Sequence, residues 1–424
     1  MYKIQSAKLL KEVMGNYFLG FKDPDASGQD ADRKRQHTTK KIAWCTSVGP
    51  AELLRSFGFD VHFPENHGAL LGATRTAGDF IPESTKLGYN NDICSYLTAD
   101  IGSYLKKQTP LQEHYGLQGP PKPDLIVYNT NQCREVQDWM NYFAKEMNCP
   151  IFGITPPRHM DEVSEAHILD VSAQFKAMIP ACEKASGKKF DIDRFREVLK
   201  LSKEATDLWK KVLWTATSSP SPISFFDATI HMGPIVVLRG TQVAKDYYAA
   251  LLKELEGNVS KKIGFLAEES SRIYWDGMPV WGKLRPMSEL FIENKAAVVA
   301  STYCNSWVFD AFDEKNPFES SAKAYTEIFI NRSEDAKEKI LSRLVKDFRI
   351  DGMIFHDAKT CANNSNSRFG MPQRISEKLG IPTLVIEADL CDLRFYSEGQ
   401  STTKIETFLE QIESSKGIRK TAMV

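Results

Sequence analysis

The run Asp351-Gly-Met-Ile-Phe-His-Asp-Ala-Lys-Thr-Cys361, continued by Ala-Asn-Asn-Ser-Asn-Ser-Arg368, decides how the whole chain is read. Residues 350–355 are mostly apolar around Asp-Gly and predict a buried strand, and the Asn- and Ser-rich segment beyond Cys361 predicts a loop. Cys361 therefore sits just past the C-terminal end of a strand. In open α/β sheets that edge is where loops converge on a crevice and ligands bind. A single free cysteine is ordinarily a core residue. What matters is whether other cysteines hold equivalent places.

They do. Ile42-Ala-Trp-Cys45 reads as a short strand, followed by Thr46-Ser-Val-Gly-Pro50-Ala-Glu52 at the start of a helix. A second strand, Asp60 to Phe63, leads into Pro64-Glu-Asn-His-Gly. Asn91-Asp-Ile-Cys94 opens a helical segment from Leu97 to Leu105, and a helix N-terminus favours the thiolate. The strand Pro123 to Tyr128 runs into Asn129-Thr-Asn-Gln-Cys133. Beyond residue 260 the strand pattern restarts at Lys262 to Leu266, continues at Arg272 to Trp281 and Ala296 to Ala300, and the last of these ends in Ser301-Thr-Tyr-Cys304. Pro382 to Ile386 leads to Glu387-Ala-Asp-Leu-Cys391. Cys149 stands at the start of a strand, the opposite edge, and reads as structural; Cys182 lies in a helical, Lys-rich stretch and reads as a core or surface thiol.

Strands alternating with helices imply parallel, doubly wound sheets. The expected organisation is an N-terminal helical arm with a charged connector over 1–40, a first α/β half over 41–158, a helical region over 159–260, a second α/β half over 261–390, and a C-terminal helix over 391–424. The fold class is α/β, two flavodoxin- or Rossmann-like halves with helices inserted between them. Tyr274, Trp275 and Trp281 could line a flat apolar pocket or sit in the core.

With 424 residues, 42% hydrophobic and 26% charged, the chain has an ordinary globular composition. Its 54 Lys and Arg balance 55 Asp and Glu, which argues against nucleic acid or an anionic membrane as the main partner. The N-terminus carries no apolar signal core and no apolar run is long enough for a membrane helix, so a cytoplasmic location is expected. In that setting eight cysteines are ligands, catalytic groups or core residues before they are disulfides. None forms a Cys-x-x-Cys pair, so any metal site must be assembled from distant loops.

Cys45, Cys94, Cys133, Cys304, Cys361 and Cys391 all fall at one edge, three in each half. Thiolate ligation favours zinc or iron and sulfur. A four-iron cubane held by three cysteines leaves one iron open, which is a catalytic feature. His356, Lys359 and Arg368, close to Cys361, are candidates to tune such a centre or supply protons. No Gly-x-x-x-x-Gly-Lys loop is present, so ATP is not placed on this chain.

The same stretches carry a resemblance. Thr46-Ser-Val-Gly-Pro-Ala-Glu52, Asn91-Asp-Ile-Cys94-Ser-Tyr, Asn129-Thr-Asn-Gln-Cys133, Tyr303-Cys304-Asn-Ser-Trp307, Lys359-Thr-Cys361-Ala-Asn-Asn-Ser-Asn and Asp389-Leu-Cys391-Asp-Leu-Arg394, with Thr402-Thr-Lys-Ile-Glu406, resemble the family of 2-hydroxyacyl-CoA dehydratases and ATP-dependent benzoyl-CoA reductases. Within it they are most similar to the B-type core subunit of the reductases. The resemblance implies an iron-sulfur cluster in the cleft between the halves, a homologous C-type core subunit as heterodimer partner, an ATP-hydrolysing iron-sulfur activator, ferredoxin upstream, and an aromatic acyl-CoA substrate reduced to a cyclic diene. By motif, Cys94, Cys133 and Cys361 match the three cluster cysteines of the dehydratases. Together with Cys45, Cys304 and Cys391 they resemble the set that holds an 8Fe-9S double-cubane cluster, the preferred reading, which would store and relay electrons while the ring is reduced at a one-cubane site in the partner subunit; the alternative is a single 4Fe-4S cluster on the first three, its open iron facing substrate. A dehydratase subunit and a double-cubane electron-transfer protein are the competing functions.

Overall fold

The computed structural model describes residues 4–22 and 40–422, with side chains as far as 416. Most of the expected charged connector lies outside the described residues. The N-terminal helix Ala7–Leu19 buries Leu10 and Val13, the inner side of its apolar pattern.

Two four-stranded parallel sheets follow. The first is built from β1 (Ile42–Cys45), β2 (Asp60–His62), β3 (Leu125–Asn129) and β4 (Ile151–Ile154), in the order β2-β1-β3-β4. The second is built from β5 (Ser271–Asp276), β6 (Ala296–Ser301), β7 (Gly352–Ala358) and β8 (Thr383–Ala388), in the order β6-β5-β7-β8. The central strands β1, β3, β5 and β7 are almost entirely buried on both faces, as the continuous apolar runs require when helices cover a parallel sheet. Side-chain alternation splits β1 and β3 between two cores. Ala43, Cys45, Leu125 and Val127 face one, and Ile42, Trp44 and Ile126 face the other.

Between the sheets run the long helices Glu165–Ser186, Ile192–Trp214 and Gln242–Ser260. Each begins at an oxygen-bearing cap, Ser164, Asp191 and Thr241, whose side chain accepts from backbone N–H groups of the first turn. The core that holds Cys45 also takes in these helices and the second sheet, so this half of the interior is continuous. The chain closes with the helix Glu398–Ala422.

One expected element is absent. Lys262 to Leu266 forms no strand: Lys262 takes a left-handed turn at φ 55°, and Phe265 donates its N–H to Ser221 at 2.9 Å, so the segment packs against the preceding loop. The second sheet starts at Ser271 instead.

Candidate functional site

The strand-end loops of the two sheets face each other, and between them lies a cavity of about 120 Å³, room for far more than one water. Three thiols line it: Cys94 at the start of the helix Ser95–Lys106, Cys133 in the loop after β3, and Cys361 in the loop after β7. All three are half-buried.

The other three candidate cysteines do not line this cavity. Cys45, the last residue of β1, points into the continuous core, where a Cβ on Gly49 would come within 2.6 Å of its sulfur. Cys304 is buried beside the hydroxyl of Thr229 at 3.7 Å, and Cys391 packs with its sulfur 3.6 Å from the carbonyl of Gly68. Cys149 and Cys182 are buried away from it.

Burial pushes every one of the cavity thiols up. For Cys361 the rise is to about 11, against hydrogen bonds from Asn364 that oppose it. Cys94 rises further, through burial and then the neighbouring Cys361, although the N–H groups of Leu97 and Tyr96 pull the other way. The helix N-terminus thus does favour the thiolate, as expected, and desolvation outweighs it. Cys133 is raised by burial, by Cys94 and by Glu135. Such thiols are poor nucleophiles at neutral pH, but a metal that takes the place of the proton removes the penalty.

Among the described residues no three His, Cys, Asp or Glu side chains converge on a point that could hold a single metal ion. A cubane makes a different demand, because its irons occupy separate corners and its thiolates stand apart around a cage. Three thiols spread around one cavity fit that demand.

Glu65 is the functional group the sequence reading passed over. It lies in the first turn of the helix Pro64–Ala73 after β2, and one carboxyl oxygen accepts from the Ser47 N–H at 2.8 Å and the Gln132 amide at 2.7 Å. Its other oxygen is buried without a partner at the cavity wall. Burial raises its pKa to about 7, with the two hydrogen bonds opposing. The available signal was a carboxyl at the same strand edge as the cysteines.

The remaining wall mixes the aromatic rings Tyr96, Trp139, Tyr303 and Trp307 and several aliphatic side chains with polar groups such as Asn66, Glu135, Asn363 and Asn364. Of the three aromatics that could line a pocket or sit in the core, Tyr274 and Trp275 are fully buried core residues, Trp275 stacked on Phe225 at 5.4 Å, while Trp281 backs the wall by donating its indole N–H to Tyr96. His356 is buried, bonded through Nδ1 to the Met278 carbonyl at 2.6 Å, and desolvation holds it below its usual pKa, so it stays neutral. Lys359 and Arg368 form exposed ion pairs with Asp92 and Asp357, each at 3.6 Å.

The loops that carry these groups are braced from behind. Asn131 donates to the carbonyls of Val48 at 3.0 Å and Tyr325 at 2.7 Å. Arg239, fully buried, donates to the Gly49 carbonyl at 2.8 Å and pairs with Glu52 at 3.2 Å, and Tyr325 donates to the same carboxylate. No helix among the described residues is long and apolar enough to cross a membrane.

Comparison with known proteins gives a consistent result. The family described as 2-hydroxyglutaryl-CoA dehydratase, D-component, matches residues 46–412. The alpha subunit of (R)-2-hydroxyisocaproyl-CoA dehydratase from Clostridioides difficile is 30% identical over 91% of this chain and 94% of its own length. The alpha subunit of lactoyl-CoA dehydratase from Anaerotignum propionicum is 29% identical over 94% of this chain and 96% of its own length. The B-type subunit of benzoyl-CoA reductase from Thauera aromatica is 28% identical over 86% of this chain and 87% of its own length.

Proposed function

Since the chain belongs to the 2-hydroxyglutaryl-CoA dehydratase D-component family, whose named members are subunits of acyl-CoA dehydratases and of benzoyl-CoA reductase, we propose that it is a core subunit of a heteromeric enzyme acting on an aromatic acyl-CoA. Its thiols Cys94, Cys133 and Cys361 hold one cubane iron-sulfur cluster, and the substrate's acyl group enters the cavity of this subunit. The observation that carries this reading is one cavity combining three thiols, an unpartnered buried carboxyl and a wall of aromatic rings.

A cluster bound there supplies single electrons at low potential. The chain's own residues do the rest. Tyr96, Trp139, Tyr303 and Trp307 exclude water and offer ring faces and edges to an aromatic acyl group. Glu65, poised near neutral, holds a proton on its unpartnered oxygen. Ser47 and Gln132 fix the opposite oxygen, so the proton has one direction to go. Reduction of the ring to a diene takes up two electrons and two protons, and Glu65 delivers one of those protons.

We favour the single cubane over a double cubane on all six strand-end cysteines because Cys45, Cys304 and Cys391 do not line the cavity that the other three share. Dehydration of a 2-hydroxyacyl-CoA is the second reading. The same three thiols and Glu65 favour it equally, since a protonated carboxyl beside the substrate can assist loss of a hydroxyl, with no net reduction.

The anaerobically purified complex tests both. About four irons attributable to this chain, lost on Cys94→Ala, with a product two hydrogens heavier than an aromatic acyl-CoA substrate, is the expected result. A product lighter by one water from a 2-hydroxyacyl-CoA selects the second reading. A chain free of iron and sulfide overturns both.

A further inference from the structure

Two buried or half-buried charges of opposite sign stand directly behind the cavity thiols, one from the loop after the last strand of each sheet. Arg158 follows β4. Its guanidinium donates to the carbonyls of Thr130 at 3.3 Å and Gln132 at 3.2 Å, the residues leading into Cys133, and to the side chain of Asn363 at 2.8 Å, just past Cys361. It is thus pinned at the foot of one cysteine loop while gripping the other across the cleft. Its Nε is buried without a partner. Desolvation lowers its pKa, and the neighbouring Cys133 and Glu135 oppose that.

Asp389 follows β8 and is 1% exposed. One oxygen accepts from the Thr360 N–H at 2.9 Å and the Thr360 hydroxyl at 2.6 Å; the other accepts from the N–H groups of Cys391 at 3.3 Å and Asp392 at 3.1 Å. Four donors around one carboxyl suit an acceptor-only carboxylate. The Thr360 hydroxyl in turn accepts from the N–H of Ser95, the residue after Cys94, at 3.0 Å. Asp389 therefore sits behind Cys361 and Cys94 as Arg158 sits behind Cys133.

We propose that Asp389 and Arg158 are positioning residues that set the reduction potential of the centre held by Cys94, Cys133 and Cys361, the anion lowering it and the cation raising it. The physics is that of charges close to a site that gains an electron inside a medium of low dielectric, where nearby hydrogen bonds and net charge tune the metal. Arg158 crosses between the halves directly through Asn363, and Asp389 holds the Thr360 hydroxyl that accepts from Ser95, so loop geometry and potential share these contacts. The inference rests on the ligand assignment proposed above.

The test is a redox titration of the anaerobic complex at fixed pH, followed by the spectrum of the reduced centre, for the native chain, Asp389→Asn, Arg158→Gln and Arg158→Lys. At a given applied potential the ratio of reduced to oxidised centre is expected to rise about tenfold for Asp389→Asn and to fall about tenfold for Arg158→Gln, about 59 mV each way for one electron. Arg158→Lys keeps the charge and is expected to stay with the native chain. Unchanged potentials, or shifts of both variants in the same direction, with native iron content, overturn the proposal. So does Arg158→Lys behaving as Arg158→Gln, which would assign Arg158 to loop geometry alone. Loss of iron from Asp389→Asn overturns the tuning role of Asp389 and leaves the two Arg158 variants to decide the other charge. A native chain without iron and sulfide defeats the ligand assignment itself, a distinct outcome because no potential is then measured.

Discussion

The two sheets are one topology used twice, with the second strand outside the first, then the third and the fourth. Equivalent slots carry different chemistry. Past β2 stands Glu65, and at the same offset past β6 stands Cys304. β1 ends in Cys45 and β5 in Asp276, both buried away from the cavity. The loops after β3 and β7 agree, each delivering a thiol, Cys133 and Cys361, to the cleft. The loops after β4 and β8 deliver opposite charges. The first half thus brings two thiols and the acid, the second one thiol and much of the aromatic wall. A repeated backbone provides the places, and the side chains divide the labour.

The sharpest way to break this comparison is to exchange cysteines between the two classes of slot. Cys133→Ala and Cys361→Ala are each expected to remove essentially all bound iron, whereas Cys45→Ala and Cys304→Ala keep it, as measured by iron and sulfide analysis of anaerobic protein. Iron lost from the second pair would restore the six-cysteine arrangement.

Next in size is the brace behind the first half's loop. Arg239→Met leaves Glu52 as a buried carboxylate without its cation, and a loss of about 3–5 kcal/mol in folding stability is expected. Denaturant unfolding of the metal-free chain checks it; a loss under about 1 kcal/mol would show that Tyr325 and Ser202 suffice for Glu52.

Glu65 sharpens the contrast with its counterpart Cys304 through pH. Its folded pKa of about 7 lies above the unfolded carboxyl value, so the folded state binds the extra proton, and stability falls as pH rises from about 4 to about 7. Glu65→Gln removes that dependence. Relative to the native metal-free chain it should gain on the order of 3 kcal/mol at pH 8 and nothing at pH 4. In the complex, turnover by the native chain should decline as pH rises through about 7, and Glu65→Gln should lose both the turnover and the decline. Identical stability profiles for the two chains would remove Glu65 from the acid role.

The smallest effect separates surface from site. Lys359→Ala, two residues from Cys361, breaks the exposed pair with Asp92 and the contact of the ammonium with the Phe395 ring, and should change stability by no more than about 0.5 kcal/mol and leave iron content and potential as they were. A shifted potential would return Lys359 to the set of tuning charges.

Much of this was legible in the chain as written. Parallel strands buried on both faces announce themselves as short apolar runs, and Gly-, Asn- and Ser-rich loops mark their ends, so the two α/β halves and the strand-end position of Cys133, Cys304, Cys361 and Cys391 could be read directly. Lys262 to Leu266 misled because a short run with Ile263, Phe265 and Leu266 looks the same whether it joins a sheet or packs against a loop. Tyr274 and Trp275 were ambiguous for a related reason, since a core aromatic and a pocket aromatic are chemically identical until their neighbours are known.

By itself, then, the sequence determined the class of fold, the repeated use of one sheet edge and the thiol chemistry gathered there, because these depend on local periodicity and residue type. Only the tertiary structure decided which thiols share a cavity, that Glu65 is desolvated while Lys359 is not, and that Arg158 and Asp389 stand behind the cysteine loops. Those depend on where a side chain points after its loop has crossed the cleft and on how much water the packed halves exclude. Both are set by contacts between residues far apart in the chain, such as Ser95 with Thr360 and Arg158 with Asn363.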